Sequence, residues 1–348
     1  MTSPALATRP DLRRVEVLAD DDVRLHVEID EPQPTNDPRR GEASPDRPTV
    51  VFSHGYTMDM RAWAFQREVC ARAGYRAVAW DHRGHGASGS GDSANYTIEQ
   101  LGRDLAAVLS QVVGNQPVVL VGHSMGGMAI MALAESFPDV VTSQVVGVAF
   151  VSTSAGDMTA TPVLRGRLGA WASIRGAQIL SALAPYQHWV QSVWKAMPWI
   201  GNRAVAASFF GSAVPRSAAR LTEEMMVRTD FSVASDFLPT LRQHDKKSAV
   251  HRFARTPSLL LVGDRDVLTP AQRSSTVAEA LTCAQHIVVT RAGHNITLEH
   301  PELVGDYILQ LVRRAEEDPH RTFSGLRVRS TDLRPGRGRP VPTLGSPR

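Results

Sequence analysis

Cysteine, lysine and long apolar runs are what this 348-residue chain has least of. Its two cysteines, Cys70 and Cys283, give no disulfide framework. Both lie in apolar, helix-like stretches and read as buried free thiols, as suits a reducing compartment. Only three Lys stand against 35 Arg. Such a bias is what a GC-rich genome imposes, so no single Arg signals anion binding by itself. No run of about 18 apolar residues is present, so no spanning helix is expected. The start MTSPALATRPDLRR lacks the charged and then apolar segments of a signal peptide. Arg13-Arg14 runs into VEVLADDD, which is no export signal either. A cytoplasmic protein is the expectation. No cysteine pair and no His-x-x-x-His spacing points to a metal site.

Charge of one sign is also scarce, except at one end. Residues 321–348 carry seven Arg and one Asp, a net +6 against +3 for the whole chain, which leaves −3 on residues 1–320. The basic pI therefore belongs to the tail and not to the body. Residues 317–348 are rich in Pro, Gly and Arg and read as a disordered tail. Phe323 is their only aromatic, so the interleaved rings of a nucleic-acid binder are missing and no nucleic-acid partner is expected.

What the chain does have is alternation of strand-like and helix-like segments. After a flexible start (1–13), residues 14–30 alternate apolar and polar around ADDD and predict a hairpin. Then come short apolar runs that predict buried strands: PTVVFSHG (48–55), RAVAWDHRGHG (76–86), PVVLVGHS (117–124) and VVGVAFVSTSA (145–155). Helical segments separate them, one near 61–73 and one opening at Thr97 with Thr and Glu at capping spacing. A third, MGGMAIMALAESF, is expected to stop at Pro138. Residues 156–250 lose this alternation and read as helical, holding Trp171, Trp189, Trp194 and Trp199. Strand and helix then resume in PSLLLVGDRD, 270–281, QHIVVTRAGH and PELVGDYILQLVRR. The pattern predicts an α/β, doubly wound, mostly parallel sheet in two parts (14–155 and 251–316). A helical cap over 156–250 is inserted between two strands.

In open α/β sheets the chemistry gathers at the carboxyl ends of strands. Those ends read His54-Gly55-Tyr56, Asp81-His82-Arg83-Gly84, Gly122-His123-Ser124-Met125-Gly126, Gly263-Asp264-Arg265-Asp266 and Gly293-His294-Asn295. A serine, an acid and a histidine thus follow in that order. In HGYT, DHRGHGAS, GHSMGG, GDRDVLTP and AGHNITLEHP the chain resembles the α/β-hydrolase family, in its serine-nucleophile, esterase- and lipase-like branch. The resemblance covers about residues 15–315. Gly122–Gly126 fits the nucleophile elbow G-x-S-x-G in its strand–turn–helix setting.

The resemblance implies roles. Ser124 would be the nucleophile and His294 its base. The acid that orients the imidazole would be Asp266, which fits the family spacing from Gly263 to Pro270. Asp264 then reads as a turn residue and Asp157 as a remote third choice. Backbone N–H groups of Tyr56 and Met125 would form the oxyanion hole. His54 and His123 match positions that support structure, His82 and His85 read as exposed or structural loop residues, and Asp81 with Arg83 reads as a structural ion pair. The implied reaction is cofactor-free cleavage of a carboxylic ester through an acyl-enzyme. Phe209, Phe210, Phe231, Phe237, Met225 and Met226 suggest an apolar wall and a small, lipophilic ester. Thioesterase, carbon–carbon hydrolase and haloperoxidase-like chemistry share these motifs, as does a slow-turnover ligand receptor. Asp stands at the nucleophile position in epoxide hydrolases and dehalogenases, which disfavours both. The oligomeric state is not legible.

Overall fold

The computed structural model describes residues 12–33, 47–156 and 209–317. The four tryptophans of the insert, Asp157 and the basic tail lie outside the described residues. Eight strands form one sheet in the order β1-β2-β4-β3-β5-β6-β7-β8. They are β1 (Leu12–Leu18), β2 (Arg24–Asp30), β3 (Thr49–Ser53), β4 (Ala77–Trp80), β5 (Val118–His123), β6 (Val145–Val151), β7 (Ser258–Gly263) and β8 (Ala284–Val289). Strands β3 to β8 run parallel. The predicted hairpin pairs β1 with β2, and β2 pairs antiparallel with β4. Asp22 closes the hairpin turn at φ 65°, a conformation that Asp tolerates better than most residues.

The parallel strands read as apolar runs because both faces are covered. On one face α2 (Ile98–Val108), α3 (Met125–Ser136) and α7 (Ala271–Glu279) pack Leu105, Ile130, Leu133 and Val277 against Val51, Leu120 and Phe150. On the other, α1 (Ala64–Arg72) and α8 (Pro301–Glu317) pack Cys70, Ile308 and Leu311 against Phe52, Val121 and Leu261. Cys70 and Cys283 are both buried free thiols.

Two helix boundaries differ from expectation. Thr97 does cap α2, its Oγ1 accepting from Gln100 N–H at 3.0 Å. The residue at the reciprocal capping position is thus Gln100 and not Glu99, and its side chain donates to Asp20 and Asp104 instead. Pro138 ends the run of α3 but also opens α4 (Pro138–Gln144), since proline suits a first helical turn.

Between β6 and β7 the described part of the insert is helical, with α5 (Arg216–Arg228) and α6 (Phe231–Gln243). Val233 and Phe237 of α6 pack on Tyr96, Met125 and Met128. Lys246 binds Glu99 at 2.7 Å and Glu135 at 2.5 Å. Among the described residues no helix is long and apolar enough to cross a membrane.

Arg83 does not pair with Asp81. Its guanidinium, fully buried, forms two hydrogen bonds of 2.7 Å to Asp104 on α2 and two, of 2.6 and 2.9 Å, to Asp21 in the hairpin turn. The fork geometry of Arg suits two carboxylates at once. Removing a buried partner strands the other charge, which costs about 3–5 kcal/mol. Arg83→Met is therefore expected to lower the unfolding free energy by about that amount in urea titration, and a loss below 1 kcal/mol would show that the network is not stabilising.

Candidate active site

Ser124 stands between β5 and α3 with φ 51° and ψ −115°. Such a backbone costs on the order of 1–3 kcal/mol in a residue other than glycine and must be held by its surroundings. Four hydrogen bonds hold it. Ser124 N–H donates to Val151 O at 2.9 Å, and Ser124 O accepts from Thr153 Oγ1 at 2.7 Å and from the N–H groups of Gly127 and Met128. Small neighbours are obligatory. A Cβ on Gly126 would lie 2.2 Å from Ser53 O, so α3 begins in backbone contact with the end of β3. Ser124 is partly exposed, and its Oγ makes no hydrogen bond among the described residues, His294 included.

His294 and Asp266 come together. The imidazole Nδ1–H donates to Asp266 Oδ2 at 2.9 Å, and both groups are buried. Asp266 Oδ1 accepts from the N–H groups of Leu268 (2.9 Å) and Thr269 (2.8 Å), and Oδ2 from Thr269 Oγ1 (2.8 Å). Burial works to raise its pKa, but the charge and hydrogen bond of His294 and the Thr269 donors outweigh it and hold the carboxyl below its usual value. Asp264 is exposed, and its N–H donates to Val289 O in the strand-end turn.

His123, the residue before Ser124, binds the backbone of His294. Its Nε2 lies 3.0 Å from His294 O, and a carbonyl only accepts, so Nε2 carries the proton. The two rings are 4.9 Å apart. Burial and then the neighbouring His294 push the His123 pKa down to about 3, so the ring is a neutral pin.

Tyr56 and Met125 each present a backbone N–H without an acceptor among the described residues. Met125 is the first residue of α3, where N–H groups have no intrahelical partner and the helix dipole is positive. The Tyr56 phenol donates to Ala234 O of α6 at 2.5 Å, and burial raises its pKa.

The remaining strand-end histidines lie behind these groups, wholly buried. His54 accepts from His82 N–H at 2.9 Å through Nε2, and its ring stacks on that of His82 at 4.0 Å. His85 Nε2 accepts from Thr57 N–H at 3.2 Å. Neither His82 nor His85 is exposed. Burial lowers the pKa of His54 to about 3 and of His85 to about 4. Asp81 beside them takes N–H donors from Met60 and Ala87, yet burial raises it to about 6. Among the described residues no group of three or more His, Cys, Asp and Glu side chains could hold a metal ion.

Known proteins match this chain in sequence and in fold. Residues 50–306 fit the sequence model of the alpha/beta hydrolase family. The chain belongs to that family. Among curated relatives, the mouse sn-1-specific diacylglycerol lipase ABHD11 is 29% identical over 264 residues, covering 73% of this chain and 78% of that protein. Human Protein ABHD8 is 26% identical over 262 residues, covering 73% of this chain and 53% of that protein. The chain thus spans about half the length of the ABHD8 proteins it matches. The solved esterase from Exiguobacterium antarcticum superposes with a TM-score of 0.64 at 19% identity, over 86% of this chain and all of that one. At such identity the likeness concerns the fold.

Three residues of this family member escape sequence reading. Thr269 supports Asp266, and the run Asp-Val-Leu-Thr before Pro270 carries the signal, a carboxylate followed at three residues by a hydroxyl donor. Thr153 supports the Ser124 carbonyl from the loop just after β6 and leaves no local signal. Glu299 accepts from Gly293 N–H beside His294 and from the insert.

Asp266→Asn is expected to lower kcat on an activated ester by about 10³–10⁴-fold, because the amide favours the wrong imidazole tautomer. Asp264→Asn should stay within about twofold, since its side chain meets no reacting group. Equal losses would sink the distinction.

The neutral histidines also predict acid lability. Their folded pKa values lie below the unfolded 6.5, so the stability present above pH 6.5 is lost as pH falls toward 4 and 3. At pH 5 the loss is on the order of 2 kcal/mol for each of His54, His85 and His123. Asp81 acts oppositely, because its folded pKa is raised, and offsets part of this. Urea titration at pH 7 and pH 5 should show a net loss of a few kcal/mol; a flat profile would refute it.

Proposed function

We propose that the protein is a serine hydrolase that cleaves a carboxylic ester through an acyl-enzyme. The observation that carries this reading is the linked set of Ser124 at φ 51°, His123 bound to His294 O, and His294 bound to Asp266. Ser124 attacks the ester carbonyl while His294 takes its proton through Nε2, the nitrogen that Asp266 leaves free. Asp266 holds the tautomer and stabilises the imidazolium. The oxygen of the tetrahedral intermediate goes negative between the free N–H groups of Met125 and Tyr56, at the positive end of α3. His294 then protonates the leaving alcohol, and water, activated by the same base, releases the acid.

A lipophilic ester fits the apolar surface near His294, where Phe209, Val214, Met226 and Leu298 are only partly buried around Phe210 and Ala219. The lipase name of the mouse relative supports the same direction. Phe237 and Met225 have other work, since both are buried in contacts with the core. The reading includes neither a metal nor an organic cofactor.

Ser124→Ala is expected to lower p-nitrophenyl ester turnover by at least about 10³-fold with an unchanged circular dichroism spectrum. A fluorophosphonate probe should label the native protein at Ser124 and leave the variant unlabelled. Turnover that survives the substitution would remove the proposal, and burst kinetics without steady-state turnover would mark a receptor in place of an enzyme.

A further inference from the structure

We propose that Glu299 is a positioning residue that clasps residues 209–212 of the insert to the His294 loop, and that Phe209, the insert residue so delivered, selects apolar leaving alcohols. The inference rests on His294 being the catalytic base. Glu299 ends the short helical turn Ile296–Glu299, which begins two residues after that base. Its carboxylate accepts four hydrogen bonds. Oε2 takes Gly293 N–H at 2.7 Å and Gly211 N–H at 3.1 Å, and Oε1 takes Ser212 N–H and Ser212 Oγ, each at 2.6 Å. A carboxylate has about four acceptor positions, so all are occupied. One donor immediately precedes His294 and the other three belong to the insert, 87 and 88 residues distant.

Two further bonds close the clasp. Asn295 N–H donates to Phe209 O at 2.9 Å, and Arg265, from the loop of Asp266, donates to Gly211 O at 2.5 Å. The strands of the clasp touch backbone to backbone, for a Cβ on Gly211 would lie 2.6 Å from Gly293 N. One anionic group thus ties the His294 loop and residues 209–212 of the insert to each other. Displacing a catalytic group by 1 Å can cost about 10²-fold in rate.

The clasp sets the Phe209 ring 6.3 Å from the His294 ring, at 52°, half-buried. His294 must hand its proton to the departing alcohol, so that alcohol lies beside His294. Phe209 therefore faces the alcohol part of the ester and not the acyl chain. After acylation the alcohol has left, and Phe209 has no further contact to make.

These roles separate kinetically. Esters of one acid with different alcohols (1-naphthyl, benzyl and ethyl acetate) and p-nitrophenyl esters of different acids are compared in pre-steady-state assays of the full-length protein. Phe209→Ala is expected to lower acylation by 1-naphthyl and benzyl acetate about tenfold, with ethyl acetate and deacylation within about twofold. Glu299→Gln, which replaces an acceptor oxygen by a donor, is expected to lower acylation and deacylation alike by about tenfold or more. In the Glu299→Gln background Phe209→Ala should add little, because the ring is no longer held. Should Glu299→Gln fail to fold, Arg265→Met and Ser212→Ala loosen the same clasp and must give the same pattern at smaller size.

Selectivity that follows the acyl chain, effects that simply multiply, or clasp variants that fold with native rates would each overturn the proposal. The base itself is tested separately. A native protein that fluorophosphonate does not label refutes the hydrolase reading, whereas a labelled native protein with indifferent variants refutes only the clasp.

Discussion

The return of His294 across the strand ends is the constraint on which the site depends. Ser124 follows β5 and His294 follows β8, and β6 and β7 lie between them. Neighbouring strands are about 4.8 Å apart, so the loop after β8 must cover about 14 Å to bring an imidazole near the elbow. It passes directly over the end of β7. A Cβ on Gly263 would lie 2.1 Å from Ala292 O, so any side chain there would block the path. Arg265 N–H donates to Ala292 O on the way, and His123 donates to His294 O at its far end. The loop is thus pinned at its crossing and at its tip, each time through its backbone, which leaves the His294 side chain to face Asp266.

Pinning by His123 works only if that ring is neutral and dry. Four wholly buried histidines near the strand ends serve this purpose together. His54 and His85 use both ring nitrogens and His123 its Nε2 to fix the turns after β3, β4 and β5, while the His82 ring stacks on His54, and the burial of all four keeps water from the groups behind Ser124. A low local dielectric strengthens the charge interactions of Asp266 and His294. Its cost falls on the fold in acid. Charge is instead placed one shell farther out, where Arg83 draws Asp104 and Asp21 together and fastens the antiparallel hairpin to α2.

How much of this the sequence discloses depends on whether the cause is local. The parallel strands are legible because burial on both faces demands continuous apolar runs such as VVLV. Ser124 is legible because a strained elbow demands glycines two residues before and after it. The choice of Asp266 over Asp264 needed a spacing known from the family. Only the fold gives its reason, which is that the Asp264 N–H is held by β8 while its side chain faces solvent. Partners far apart in the chain left no trace. Asp81 stood nearest to Arg83 in sequence, yet Asp104 and Asp21 hold it from 21 and 62 residues away. His82 and His85, flanked by glycines, read equally as exposed or as structural loop residues. Only the stacking of the β4 loop under β3 and α6 buries them.

The ties between insert and core decide what kind of wall the insert provides. On the Ser124 side, α6 holds the Tyr56 phenol through Ala234 O, and Thr240 Oγ1 takes the otherwise unpartnered N–H of Ile98 at the start of α2. Just beyond α6, Lys246 sits between two carboxylates of the core. Swinging α6 away would strand a buried phenol, a helix N–H and a largely buried ammonium, and would bare Phe237, which is fully buried. Losing one such charged contact alone costs about 1.5–3 kcal/mol, a sizeable share of the stability of a domain. This helix is therefore a fixed wall of the site. Residues 209–212 are tied as firmly through Glu299, Asn295 and Arg265, so the half-buried ring of Phe209 beside His294 is apolar surface presented on a backbone that is also held in place.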